Sequence, residues 1–174
     1  MPAPISQLIP AQGNFPNNDI LPVVIHRQAF AVSKDLASTI ERTFHGNGWG
    51  NSWRNGIYDF HHYHSRAHEA LGVYSGWVKV QLGGDKGPEF RIEAGDVVIL
   101  PAGIAHRRID ASADFKVIGA YPPGQSPDMN LGDPKELAPA TTAIATLPRP
   151  ATDPVTGKTG GLLELWGKPA GKDR

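Results

Sequence analysis

Residues 56–76 have the sequence GIYDFHHYHSRAHEALGVYSG, and this stretch decides the fold and the chemistry. Four of the seven histidines of the chain fall here within eight positions: His61, His62, His64 and His68. Side chains of an extended strand alternate between its two faces, so His62 and His64 project together, away from His61. Glu69 follows after a bend and can bring a carboxylate into the same pocket.

A second stretch, residues 95–110, has the sequence GDVVILPAGIAHRRID. His106 follows a turn at residues 101–105 that can place its strand beside the first one. Three imidazoles and one carboxylate form a suitable ligand set for a divalent first-row metal ion, with open positions for water or substrate. This set accepts Fe, Mn, Ni, Zn or Co, and the sequence does not distinguish between them.

Short apolar or alternating segments recur between residues 56 and 121, which is typical of a β-sandwich or barrel. Glycine-rich segments at residues 75–76 and 83–87 favour hairpin turns. A helix is predicted over residues 33–44, capped by Ser33, and a second short helix begins at Asp133. The predicted strands are 21–26, 58–64, 70–74, 77–82, 89–92, 96–100, 106–109 and 115–121.

The composition excludes several classes of protein. Gly and Pro make up 36 of the 174 residues, which argues against a helical bundle, while 40 % hydrophobic residues and 17 charges of each sign argue against disorder. The chain has no cysteine, so a metal site must use His, Asp or Glu. No apolar run approaches membrane-spanning length and the first residues do not resemble a signal peptide, so we expect a cytoplasmic protein. Zero net charge gives no reason to expect nucleic acid or a membrane as partner, and a small molecule is the expected ligand.

Nine residues stand at the spacing of two known motifs. The first motif is matched by Gly56, His62, His64, Glu69 and Gly76, and the second by Gly95, Pro101, Gly103 and His106. The chain therefore resembles the cupin superfamily. The resemblance implies an all-β double-stranded β-helix (jelly-roll) barrel, with one metal ion bound by His62, His64, Glu69 and His106. Asp110 departs from the pattern, since the motif usually ends in Asn.

A narrower resemblance covers nearly the whole chain. The segments 61–65, 120–126 and 152–155 are similar to the small bacterial YjlB-like cupins, which leaves the substrate open. We expect one cupin domain over residues 1–174: an N-terminal arm and helix at 1–55, the barrel core at about 56–121, and a Pro-rich extension at 122–174. The arm and tail are expected to wrap the barrel or a partner subunit, and the resemblance also implies a homodimer.

Three further residues are candidates for substrate binding. Tyr58 shares the face of His62 and can offer a hydroxyl, although core packing explains it equally well. Arg108 and Asp110 lie two and four residues after His106, so a regular strand would place all three side chains on the same, inward face. A buried arginine needs an acceptor, and an internal ion pair with Asp110 or a nearby carboxylate is favoured over an anionic substrate.

The remaining histidines and the tryptophans receive weaker interpretations. His61 and His68 are expected to face outward or to support a metal ligand, and His68 could orient a ligand carboxylate. No role is assigned to the surface residues His26 and His45. Packing is the expected role of three tryptophans: Trp49, Trp53 and Trp77.

The favoured function is that of a metal-dependent enzyme acting on a small polar organic substrate, with oxidoreductase or dioxygenase-like chemistry preferred. A metal-dependent isomerase or decarboxylase fits the same ligands, because the fold does not fix the reaction. The alternative from another class is a cupin that binds or senses a small ligand without turnover.

Overall fold

The structure is a computed structural model that describes residues 1–167, and over this range the chain forms nine strands and three helices. The strands are β1 (Ile5–Ile9), β2 (Asn18–His26), β3 (Gly50–Asn55), β4 (Glu69–Ser75), β5 (Trp77–Leu82), β6 (Glu89–Glu93), β7 (Val97–Leu100), β8 (His106–Ala111) and β9 (Lys116–Tyr121). The helices are α1 (Leu36–Gly46), α2 (Pro134–Thr146) and α3 (Leu162–Trp166). None of these helices combines the length and the apolar character needed to cross a bilayer. The last seven residues of the expected C-terminal extension lie outside the described range.

The strands form two antiparallel sheets. The larger sheet has the order β1-β2-β7-β4-β9-β3 and the smaller one has the order β6-β5-β8. An apolar core cluster contains residues of both sheets, among them Val23, Leu71 and Val98 from the larger and Val80 and Ile92 from the smaller. This arrangement confirms the expected all-β jelly-roll fold.

The larger sheet is apolar on both faces. In β7, Val98 and Leu100 belong to the inner cluster, whereas the alternate residues Val97 and Ile99 belong to a second cluster. Since side chains of a strand alternate, the second cluster lies on the outer face. Helices cover that face through Leu36, Ile40 and Phe44 of α1 and Leu162 and Trp166 of α3.

Both predicted helices form, with one correction. The periodic residues of α1 are buried as expected, but the helix begins at Leu36, and a turn separates it from Ser33, which is therefore not the cap. In α2 the cap is as predicted: the Asp133 carboxylate accepts from the Lys135 amide, and Glu136 accepts from the Asp133 amide.

The predicted strand at residues 58–64 is wrong. His62 exchanges backbone hydrogen bonds with His106 on one side, whereas Tyr63 exchanges them with Asn130 on the other. Each of these pairs is an isolated bridge, so the segment does not form a continuous ladder with either neighbour. The side chains of His62 and Tyr63 still point to opposite sides, because the backbone there is extended and bonds to a different segment on each side.

Two other expectations need correction. The N-terminal arm is part of the barrel, since β1 and β2 pair with each other and β2 pairs with β7 in the larger sheet. Residues 75–76 do not form a hairpin, because β4 and β5 belong to different sheets and the chain crosses the barrel there. The turn at 83–87 does join a paired hairpin, β5 and β6.

The turn before His106 depends on a glycine. Gly103 has a φ of +97°, and a Cβ there would collide with the Asn17 carbonyl oxygen. Its amide donates to the His64 carbonyl at 2.7 Å. The Asn17 carboxamide also accepts from the Ala105 amide at 3.0 Å. The second motif is therefore held against the first motif and β2, which fixes where His106 begins.

Candidate metal centre

Three buried histidines converge at one end of the barrel. His62, His64 and His106 each offer a ring nitrogen, and the three atoms lie within 4.8 Å of one another. His62 and His64 come from the extended segment before β4, and His106 begins β8, so the bridge between His62 and His106 joins the two motifs. The three side chains could hold a metal ion.

The hydrogen bonds of the three rings leave one nitrogen of each free. The Nδ1 atoms face backbone carbonyl oxygens: His62 that of Phe60 at 3.1 Å, His64 that of Asp128 at 2.5 Å, and His106 that of Ile104 at 2.9 Å. A carbonyl oxygen only accepts, so each Nδ1 carries the proton and donates it. In a ring that is neutral this leaves Nε2 unprotonated, which is the form that binds a metal ion.

Glu69 completes the group from the first residue of β4. Its Oε2 lies 3.5 Å from Nε2 of His64, and its Oε1 lies 3.6 Å from Nε2 of His106. The Tyr121 hydroxyl lies near this carboxylate, and it accepts from Nε1 of Trp53 at 2.8 Å. Three imidazoles and a carboxylate are the donor set that divalent first-row ions accept, so these residues fit such an ion.

Burial and mutual charge set the protonation of the four groups. Burial lowers the pKa of His62, and it lowers that of His106 to about 3. Burial acts in the same direction on His64, but the adjacent Glu69 carboxylate outweighs it and raises the pKa to about 9. Burial raises the pKa of Glu69, and the charge and hydrogen bond of His64 more than offset this, giving a pKa of about 2. At neutral pH the carboxylate is ionised and the His62 and His106 imidazoles are neutral, as a metal ion requires of its ligands, whereas His64 carries a proton toward Glu69 that a bound ion would displace.

A cavity of about 470 Å³ opens beside the four groups. Its volume suits a small molecule. The polar part of its lining contains the four groups together with Arg108, Tyr121, Asp128 and Asn55, and the apolar part includes Ile57, Leu71, Pro127 and Met129.

Of the three candidate substrate-binding residues, two line this cavity and one does not. Tyr58 is 55 % exposed, stacks on Phe60 with ring centres 4.8 Å apart, and is therefore not a core residue. Arg108 lines the cavity as well. Asp110 is exposed, and its carboxylate accepts from the neighbouring Ala111 amide.

A β-bulge explains the position of Asp110. Val80 of β5 pairs with Arg108, but the next pair joins Lys79 to Asp110, so Ile109 is an extra residue in β8. The extra residue reverses the alternation, and Asp110 no longer shares the face of Arg108. The expected ion pair between Arg108 and Asp110 is wrong: it is absent from the ion pairs of residues 1–167.

Three other histidines differ from expectation in part. His61 lies on the face opposite His62, against the Phe15 ring, so it faces away from the site but is largely buried. His68 is buried, and its Nδ1 accepts from the Ala102 amide at 2.9 Å, so it holds the turn before His106 rather than Glu69. His26 is not a surface residue: it is 0 % exposed and lies 2.8 Å from Asp153.

Sequence reasoning missed the support that comes from beyond the barrel core. The Asp128 backbone oxygen orients His64, and the Asp128 carboxylate accepts from the Ser65 and Arg66 amides and from Asn130. Its signal in the sequence is weak, since a Pro-Asp pair in a Pro-rich segment is typical of any turn.

The chain has a close relative among known proteins. It is 40 % identical over 159 residues to YjlB of Bacillus subtilis (strain 168), an uncharacterized protein, and the match covers 91 % of this chain and 94 % of YjlB. The chain belongs to the YjlB family. Its jelly roll and its two motifs make it a cupin.

More distant similarities to solved structures concern 56–66 % of this YjlB-family chain. A DUF861 family protein from Thermotoga maritima is 21 % identical over 56 % of this chain and 96 % of its own, with a TM-score of 0.36. Procruciferin, an 11S globulin of Brassica napus, is 16 % identical over 64 % of this chain and 22 % of its own, with a TM-score of 0.38. The DMSP lyase DddQ of Ruegeria pomeroyi DSS-3 is 18 % identical over 66 % of this chain and 44 % of its own, with a TM-score of 0.35. No family model matches the chain.

Proposed function

We propose that the protein is a metal-dependent enzyme that acts on a small polar organic substrate. One divalent first-row ion is bound by His62, His64, Glu69 and His106, and the substrate occupies the cavity beside it. Oxidoreductase or dioxygenase-like chemistry is the favoured reaction class, because a ligand set of imidazoles and a carboxylate suits iron and manganese.

One observation carries this proposal. Every Nδ1 donates to a backbone carbonyl oxygen, so the three Nε2 atoms are left to face one another and the Glu69 carboxylate beside a cavity. A shared ligand accounts for the convergence of these three nitrogens and the carboxylate.

The residues of the site have separate roles. The bound ion would supply Lewis-acid or one-electron chemistry to the substrate. The Phe60, Asp128 and Ile104 carbonyl oxygens hold the three rings in the binding tautomer. The Tyr121 hydroxyl orients Glu69, and the apolar lining of the cavity keeps part of the water away from the reacting groups.

Element analysis of the untagged protein, purified without chelators, tests the proposal. We expect about one metal ion per chain in the wild type and its loss in His106→Ala and His62→Ala, because three ligands of four bind far more weakly. His45→Ala is the matched control, since His45 is exposed and bonds only to Ser52. Folding of each variant is checked by circular dichroism. Wild-type metal content in the two ligand variants would contradict the ligand assignment.

The identity of the metal and turnover then separate the reaction classes. Iron or manganese, with oxygen consumption or product formation on a panel of small acids and carbonyl compounds, supports the oxidoreductase. Zinc with product formation but no oxygen consumption favours an isomerase or decarboxylase. Tight retention of a ligand without turnover would make the protein a binding or sensing cupin.

We also propose that residues 1–174 act as one domain, in the cytoplasm and as a homodimer. The exposed Ile5 and Leu8 of the edge strand β1 support the dimer, because an unpaired edge favours pairing with another chain. Size-exclusion chromatography with light scattering should give twice the chain mass, and a monomer would refute this part.

A further inference from the structure

Two neighbouring arginines of β8 have opposite surroundings. Arg107 donates to the Gln81 carboxamide at 3.0 Å and lies 3.6 Å from the Asp85 carboxylate. Arg108 lines the cavity, and its backbone amide donates to the Tyr58 carbonyl oxygen at 2.8 Å. Among residues 1–167 its guanidinium has no ion pair and no hydrogen bond, although the side chain is half-buried.

The carboxylates of the cavity lining are already engaged. Glu69 directs one oxygen at His64 and the other at His106. Asp128 accepts four hydrogen bonds, two at each oxygen, from the groups that hold the loop: the Ser65 and Arg66 amides, the Ser65 hydroxyl and the Asn130 carboxamide. The lining therefore offers Arg108 no anion, and a divalent ion at the histidines would make the cavity more positive still.

Apolar side chains complete the wall. Ile57, Leu71 and Met129 line the same cavity as Arg108, and the exposed Tyr58 lies at its mouth. A molecule that fits this lining has one anionic group and a short apolar part.

We propose that the substrate is a small carboxylic acid whose carboxylate pairs with the free guanidinium of Arg108 and whose apolar part packs on Ile57, Leu71 and Met129. This inference rests on the proposed function, since it names the substrate class of that cavity. A guanidinium binds a carboxylate through two parallel hydrogen bonds, which fixes the orientation of the acid relative to the histidines. Arg108 is thus the residue that selects the substrate.

A carboxylate suits the cavity better than a phosphate ester. A phosphate dianion is bound by several cations or by a helix N-terminus, whereas this lining has one guanidinium and two carboxylates. The repulsion from Glu69 and Asp128 grows with the charge of the ligand, so a monoanion pairs with Arg108 at lower cost.

Butyrate, butyramide and methyl phosphate are the probes for a nuclear magnetic resonance titration of zinc-loaded protein, and the Trp53 indole signal reports on the cavity. We expect butyrate to bind more tightly than either other probe. Arg108→Gln should weaken butyrate at least about tenfold and leave butyramide unchanged, because a charge-assisted pair is lost. Arg108→Lys should recover part of the affinity. Arg107→Gln, the matched control, should bind butyrate like the wild type.

Three results would overturn the inference: no saturable butyrate binding by the wild type, equal butyrate affinity in Arg108→Gln, or tighter binding of methyl phosphate. The zinc content of every sample is measured, and the titration is repeated on metal-stripped protein. If the protein binds no metal, the proposed function fails, but the effect of Arg108→Gln on butyrate can still be present. If metal binds and Arg108→Gln has the butyrate affinity of the wild type, the proposed function stands and this inference fails.

Discussion

The molecule buries histidine against carboxylate in two places, and the two places differ in almost every other respect. At the end of the barrel Glu69 lies 3.5 Å from His64 and 3.6 Å from His106, beside a cavity. On the outer side of the sheet, His26 of β2 lies 2.8 Å from Asp153, and both side chains are 0 % exposed.

The carboxylate of the second pair has used its hydrogen-bonding capacity. One oxygen of Asp153 accepts from the Val155 and Thr156 amides, and the other accepts from the Leu162 amide and from Nε2 of His26. Every one of these bonds ties the C-terminal segment to itself or to β2. At the barrel end, in contrast, each Nδ1 bonds to the backbone and the three Nε2 atoms converge beside a cavity. The comparison teaches that several ring nitrogens converging beside a cavity, rather than His–carboxylate proximity, distinguish a candidate ligand site from a structural clamp.

Replacing Asp153 should produce the largest effect on stability. Asp153→Ala leaves three amides and His26 without an acceptor inside the protein, so we expect the free energy of unfolding to fall by about 3–5 kcal/mol. Chemical denaturation measures this. Metal content per folded molecule should not change, because the clamp lies apart from the four proposed ligand residues.

The control for this variant is Asp19→Ala, since Asp19 is exposed, and its stability should stay within about 0.5 kcal/mol of the wild type. A loss of metal from folded Asp153→Ala would show that the two regions are coupled and would break the comparison.

Acid should weaken the clamp in a defined direction. Burial raises the pKa of Asp153, but the hydrogen bond and charge of His26 outweigh this and hold the pKa below its usual value of 3.8. A carboxyl whose pKa is lower in the folded state stabilises the protein above the unfolded pKa, and this contribution is lost as the pH falls through the folded pKa. The difference in unfolding free energy between the wild type and Asp153→Asn should therefore be constant near neutral pH and shrink below about pH 4. A difference that grows in acid would contradict this assignment.

The sequence was sufficient for the barrel and for which histidines converge. Strand alternation and motif spacing both depend on local geometry, so His62 and His64 could be placed on one face without knowing their neighbours. The same argument failed at Asp110, because a bulge at Ile109 reverses the alternation and leaves no mark in the composition.

Long-range contacts account for most of what could not be predicted. His26 was assigned to the surface, because its partner Asp153 is 127 positions away and nothing local reveals it. Asp128 lies 64 positions from the ring that its carbonyl orients. Short polar edge strands such as β3 were missed for a related reason: their pairing with β9 stabilises them, rather than an apolar pattern of their own.

The smallest expected effect tests whether the Tyr121 hydroxyl holds Glu69 in position at the barrel end. Nε1 of Trp53 donates to the Tyr121 hydroxyl at 2.8 Å, and that hydroxyl lies near the Glu69 carboxylate. Tyr121→Phe removes the hydroxyl and keeps the ring. We expect metal affinity, measured by competition with a chromophoric zinc chelator, to fall about tenfold, and the free energy of unfolding to fall by only about 1 kcal/mol.

Tyr74→Phe is the control for the hydroxyl, since Tyr74 lies on the same sheet near Arg54, away from the cavity lining, and should keep wild-type affinity. The change in metal affinity is compared with the change in the free energy of unfolding. If Tyr121 only packed in the barrel, its removal would lower stability without changing metal affinity. If it orients Glu69, the affinity changes more than the stability does, because a free carboxylate must then be fixed by the ion itself. Equal metal affinity in Tyr121→Phe and the wild type would show that Trp53 and Tyr121 do not position Glu69, which would then be held by the histidines alone.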